Sequence, residues 1–205
     1  MFTFRKKRHS LIREAIETTI LAGLVFVCLQ LSVQNYQVEG SSMVPTLDAG
    51  DCLIANKLVY THIHPASLAN WGNDQHRSQR KTIFPFHLPK HGEIVVFEYP
   101  NDRKRHFVKR VIAVPGDELK IERGQVFVNR VPIVEEYLDS WASPSDYGPY
   151  RMKVDEYFVL GDNRRSSNDS RAWGTISSKH IIGKYWFKYR SILCDLAPFK
   201  SSNLK

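Results

Sequence analysis

Cysteine is scarce: Cys28, Cys52 and Cys194 are the only three in 205 residues, and no two form a CxxC pair. So few, so widely spaced, make neither a disulfide framework nor a sulfur-rich zinc site, and they leave the redox compartment open. No internal repeat is present, and no GxSxG elbow surrounds a serine. Also missing is a basic stripe interleaved with aromatics or a docking motif, so nucleic acid is not an expected partner. Hydrophobic residues at 42% and charged residues at 24% are ordinary proportions, which excludes a disordered chain or a fibre. The length suits one domain with a sizeable core and a short appendage rather than two large domains.

Charge is absent from one long stretch. Nothing between Glu17 and Glu39 is charged, and Ile20 to Val33 is apolar except for Gly23, Gln30 and Ser32. About 21 uncharged residues, at a helical rise of roughly 1.5 Å, span about 31 Å, close to the hydrocarbon thickness of a bilayer. The run directly follows Arg5, Lys6, Lys7, Arg8 and Arg13, and no small-x-small cleavage site precedes the next polar stretch. It reads as an uncleaved signal anchor, with a buried core helix as the competing reading. The expected layout is a basic cytoplasmic segment over residues 1–16, a transmembrane anchor over 17–37 and an extracytoplasmic domain over 38–205. The net charge of +8 suits an anionic lipid surface, and it is equally what solubility alone would give.

Beyond the anchor the pattern becomes short strands punctuated by turns, which predicts a mostly β domain. Strands are expected at Asp51–Leu58, Gly92–Tyr99, His106–Val114, Tyr157–Leu160 and Ile181–Tyr189. Arg123–Gly124 turns a hairpin between Leu119–Glu122 and Gln125–Asn129. Residues 61–90 have no clear period and read as a long surface excursion. Within them, His62 and His64 share a strand face but lack an evident third zinc ligand.

Three stretches carry the chemistry. Gly40-Ser41-Ser42-Met43-Val44-Pro45-Thr46-Leu47 presents two hydroxyls in a glycine- and proline-shaped turn, although serine pairs in loops commonly face solvent or cap helices. In Phe107-Val108-Lys109-Arg110-Val111-Ile112-Ala113-Val114-Pro115-Gly116-Asp117, strand alternation puts Lys109 on a face with Phe107, Val111 and Ala113. A lysine there either snorkels from a half-buried edge or sits among apolar neighbours that lower its pKa, as a general base requires. Gly161-Asp162-Asn163-Arg164-Arg165-Ser166-Ser167-Asn168-Asp169-Ser170-Arg171-Ala172-Trp173-Gly174 is a polar loop with charges placed for cross-bracing.

In order and spacing these stretches resemble the type I signal peptidase boxes SMxPT, KRVxxxPGD and GDNRxxSxDSRxWG, and His91 to Phe97 resembles the family's RGDIVVF box. The resemblance covers the anchor, residues 36–60 and residues 91 to about 190. It implies an antiparallel, β-barrel-like catalytic domain behind one transmembrane helix. The implied activity is a serine endopeptidase that removes signal peptides from exported precursors, with no cofactor and no metal. By the same resemblance Ser42 is the nucleophile and the donor of the oxyanion-binding backbone N–H, Lys109 is the general base, and Ser167 orients the lysine. Asp162, Arg164, Asp169 and Arg171 match the residues that brace the site. The chain departs from the pattern at Gly40, where some relatives carry a second oxyanion serine, and at His91, Arg165, Ser166 and Ala172.

Competing functional readings are a Ser-His-Asp hydrolase using His91 or His106, a soluble Ser-Lys self-cleaving repressor, and a membrane-tethered β module that binds peptides without cutting them.

Overall fold

The computed structural model describes residues 3–60, 87–138, 145–189 and 202–204, without the side chains of 3–12, 202 and 203. In it the uncharged run divides in two. Helix α1 spans Thr3–Ser32, and its stretch Arg13–Ser32 has a mean hydropathy of 1.8 with nothing buried. Ile20, Leu24, Phe26, Leu29 and Leu31 are each more than half exposed. So continuous an apolar surface is unfavourable in water and matches the interior of a bilayer.

The helix stops at Ser32, earlier than the anchor's expected end at residue 37, and strand β1 (Val33–Val38) begins at once. Here the segment alternates Asn35 and Gln37 with Tyr36 and Val38. It suits a strand whose backbone is satisfied by β2 (Cys52–Asn56) while Tyr36 and Val38 point into the core. Lys57 N donates to Ser32 O at 2.8 Å, tying the domain to the end of the helix.

The remaining strands are β3 (Ile94–Tyr99), β4 (Asp102–Ala113), β5 (Glu118–Glu122), β6 (Gln125–Val128), β7 (Val131–Pro132), β8 (Tyr147–Arg151), β9 (Glu156–Leu160), β10 (Ile176–Ser177), β11 (Ile181–Tyr189) and β12 (Ser202–Leu204). A four-residue helix, α2 (Ser170–Trp173), follows the polar loop. The mostly β, mainly antiparallel architecture is the expected one, but the strands form two sheets rather than one closed barrel of them all. The larger runs β10-β9-β4-β12-β1-β2-β11-β3, with β3 also pairing to β4, and the smaller runs β7-β6-β5-β8.

Three apolar clusters hold these layers. One joins Tyr36, Val38, Met43, Leu53, Val96 and Val108, a second joins Phe97, Phe107, Val111, Tyr157 and Val159, and a third, with Ile112, Leu119, Ile121, Val126 and Phe158, joins the two sheets. β3 is buried on both faces from Ile94 to Phe97, which is why its sequence is a continuous apolar run and not an alternation. At the β5–β6 hairpin both turn residues take positive φ, 49° at Arg123 and 84° at Gly124, matching the twist of the flanking strands.

Cys52 is disulfide-bonded and Cys28 is free, so the sparse cysteines include a bond that their spacing did not announce. The excursion expected at 61–90 lies outside the described residues up to residue 86, as do His62 and His64.

Candidate active site

β1 delivers the chain to Ser42 and β4 delivers Lys109. Gly40, with φ at 89°, makes the turn out of β1, a conformation glycine adopts without strain. Beyond it Ser42 is half-buried and Ser41 exposed. The two hydroxyls part: Lys109 Nζ lies 2.7 Å from Ser42 Oγ, whereas Ser41 Oγ lies 3.2 Å from Ser166 Oγ. Met43 and Leu47, immediately after the serine, are fully buried and anchor the loop.

Lys109 is only 1% exposed. Its amine bonds to Ser42 Oγ and, at 2.9 Å, to its neighbour Val108 O, and it lies 5.3 Å from the centre of the Phe107 ring. Burial disfavours the ammonium and lowers the pKa from its ordinary value to about 8, against the opposing pull of Asp169 and Asp162. Around the pair lies an open cleft of about 380 Å³, lined among others by Glu39, Gly40, Arg105 and Phe107.

The polar loop clamps this pair from behind. Asn163 N donates to Ser42 O at 3.0 Å. A Cβ built on Gly161 would collide with that same carbonyl and with the Ser167 side chain, so the approach requires glycine. Asp169 caps α2 by accepting from Arg171 N at 3.2 Å; it also accepts from Gly161 N at 3.1 Å and from the Arg171 guanidinium at 2.8 and 2.9 Å. Arg171 in turn donates to Arg164 O at 2.8 Å. Asp162, Arg164, Asp169 and Arg171 thus all lie in one network beneath the dyad.

Several partners in that network went unread in the sequence. Asp162 receives two bonds from Arg110, at 2.8 and 2.6 Å, and one from Thr46 at 2.5 Å. Arg164 pairs with Glu135. The opposite strand face from Lys109 was a usable signal for Arg110, while Glu135 lies far along the chain in a stretch without pattern. Ser167 Oγ is buried with no hydrogen-bond partner among the described residues, so the bond to Lys109 that the resemblance implies is not made in this structure; the amine bonds to Val108 O as well as to Ser42. Among the histidines weighed earlier, His91 bonds to Asp117 at 2.6 Å, whereas the partner of Ser42 Oγ is Lys109.

A buried amine whose pKa is lowered to about 8 lies in hydrogen-bond contact with a serine hydroxyl and no imidazole stands between them, the arrangement that a serine–lysine hydrolase would use. Residues 11–190 match the family model of signal peptidase, peptidase S26, and the chain belongs to that family. It is 34% identical to "Signal peptidase I P" of Bacillus subtilis subsp. natto over 89% of this chain and 91% of that one. It is 32% identical to "Signal peptidase I" of Leptolyngbya laminosa over 94% and 87%. The corresponding protein of Bacillus caldolyticus is 35% identical over 82% and 86%.

Proposed function

We propose that this chain is a membrane-anchored serine endopeptidase that cleaves the signal peptides of exported precursor proteins. The observation that carries the reading is the 2.7 Å contact between Ser42 Oγ and the buried Lys109 amine. Neutral Lys109 accepts the hydroxyl proton as Ser42 Oγ attacks the scissile carbonyl. The same amine protonates the departing amino group and then deprotonates the water that releases the acyl group from Ser42. The Ser42 backbone N–H is the proposed donor to the oxyanion, with Gly40 contributing backbone only. Ser167 faces the turn that supports Ser42, and its proposed part is to orient the amine once substrate displaces the Val108 bond.

The N-terminus is proposed to lie in the cytoplasm and the β domain outside. The five early basic residues and the disulfide at Cys52 support that orientation, because disulfides persist in oxidising compartments. Lipid contact of the domain is supported by the exposed side chains of Leu58, Trp186 and Phe187. Leu58 follows Lys57, which is bonded to the helix end, and Phe187 pairs with Ile54 of β2, whose other partner is Asn35 of β1.

The test is cleavage of a signal-peptide-bearing model precursor, with N-terminal sequencing of the product. Ser42→Ala is expected to lose cleavage with the fold intact while Ser41→Ala keeps most of it. The reverse pattern would overturn the assignment.

A further inference from the structure

The slot that leads to Ser42 is filled by the chain's own tail. β12 is hydrogen-bonded between β1 and β4, and it is parallel to both, unlike the antiparallel pairs elsewhere in the described sheets. Tyr36, Gln37 and Val38 pair with Ser202, Asn203 and Leu204, and His106 pairs with Leu204 from the other side. Glu39 N donates to Leu204 O at 2.5 Å. The Leu204 side chain is fully buried in the cluster that contains Tyr36, Val38, Met43, Val96 and Val108.

Both walls of this slot lead to the dyad: from the end of β1 at Val38 the chain turns at Gly40 to reach Ser42, and β4 continues from His106 to Lys109. With neighbouring strands about 4.8 Å apart, the walls stand roughly 10 Å from each other and admit one extended chain. Take β12 away and what is left is two unpaired strand edges above an apolar hole, which is a receptor for an added strand. A peptide bound there parallel to β1 carries its following residues toward Ser42.

We propose that residues 202–204 are an internal pseudosubstrate, competing with the precursor's extended segment for the slot between β1 and β4. The proposal rests on the proteolytic reading for where the precursor lies. Among the described residues the grip is short, three paired residues and one buried leucine, as suits a segment that must yield to substrate. An aspartate at 204 cannot be buried in that hole without large cost, so Leu204→Asp empties the slot. If the tail leaves the slot open about a tenth of the time, removing it lowers KM about tenfold and leaves kcat unchanged.

The experiment has two arms on the full-length chain. Kinetics of wild type and Leu204→Asp on a fluorogenic signal-peptide substrate are expected to show the fall in KM at constant kcat. A peptide of sequence KSSNLK, residues 200–205, is expected to inhibit the variant competitively. Amide exchange at 202–204 in Ser42→Ala, followed as an uncut substrate peptide is added, is expected to accelerate as the peptide displaces the tail; this arm needs no turnover and no altered tail. An unchanged or higher KM in the folded variant, or tail amides still protected at saturating peptide, makes β12 an ordinary structural strand and overturns the proposal. Acceleration without any cleavage by wild type would refute the proteolytic reading and leave the competition standing, so the two failures are distinguishable.

Discussion

Lys109 is costly to keep. In the unfolded chain it holds its proton up to the ordinary lysine value of 10.5, while in the folded protein it releases it at about 8. Between those values the unfolded state binds more protons, so stability rises with pH there, and below pH 8 the full penalty of the buried ammonium is present. At pH 7 that penalty is roughly 3 kcal/mol. Lys109→Met is therefore expected to melt higher than wild type at pH 7, with the gap closing between pH 8 and 10.5; a pH-independent gap would refute the burial account. Turnover has the opposite need. It should rise with pH along one acidic limb near 8, and Lys109→Arg, whose guanidinium does not deprotonate, should be as inactive as Lys109→Met. Substantial cleavage by Lys109→Arg would remove this residue as the base.

At the scale of elements, the polar loop before α2 packs directly against the turn that carries Ser42. Gly161 has no room for a methyl group against Ser42 O and Ser167, so Gly161→Ala must push the serine loop away. A displacement near 1 Å is expected to lower kcat about a hundredfold with little change in melting temperature; near-normal kcat would show that the close approach is not needed. Beneath the loop, Asp162 is fully buried against Arg110, which is 12% exposed. Arg110→Met leaves a buried carboxylate with Thr46 as its remaining partner and should cost about 3–5 kcal/mol in urea unfolding. The double change Arg110→Met with Asp162→Leu should recover part of that loss. If the double variant is less stable than the single, the isolated charge is not the cause. How much of this was legible differs by residue. Strand alternation put Lys109 on an apolar face, but the pairing of Arg110 with Asp162 joins positions 52 residues apart, and no local pattern specifies that contact.

For the whole molecule, the asymmetry of charge about α1 sets the expected topology. The chain has five bases before residue 14, and after the helix Glu39, Asp48 and Asp51 precede the first lysine at Lys57. In a Cys28→Ser background, which leaves the Cys52 disulfide in place, a cysteine at Lys205 should react in intact cells with a membrane-impermeant maleimide, and one at Thr3 should not. Any outer envelope is permeabilised first. Labelling at position 3 alone would reverse the orientation.

The sequence by itself determined whatever is local or periodic: an uncharged run of membrane length, the change to short strands, the residue types of the three boxes, and the apolar neighbours of Lys109 on its strand face. Tertiary structure decided whatever depends on which distant segments meet. It ended the helix at Ser32, because β2 was there to pair the next five residues within β1. Glu135 reached Arg164 and Arg110 reached Asp162 the same way, and Lys109's second bond went to Val108 O while Ser167 was left unpaired. The tail of the chain was set between β1 and β4 as well. Hydrophobic periodicity reports which face of an element is buried and is silent on what buries it, since a strand's partner is chosen by the packing of the whole sheet.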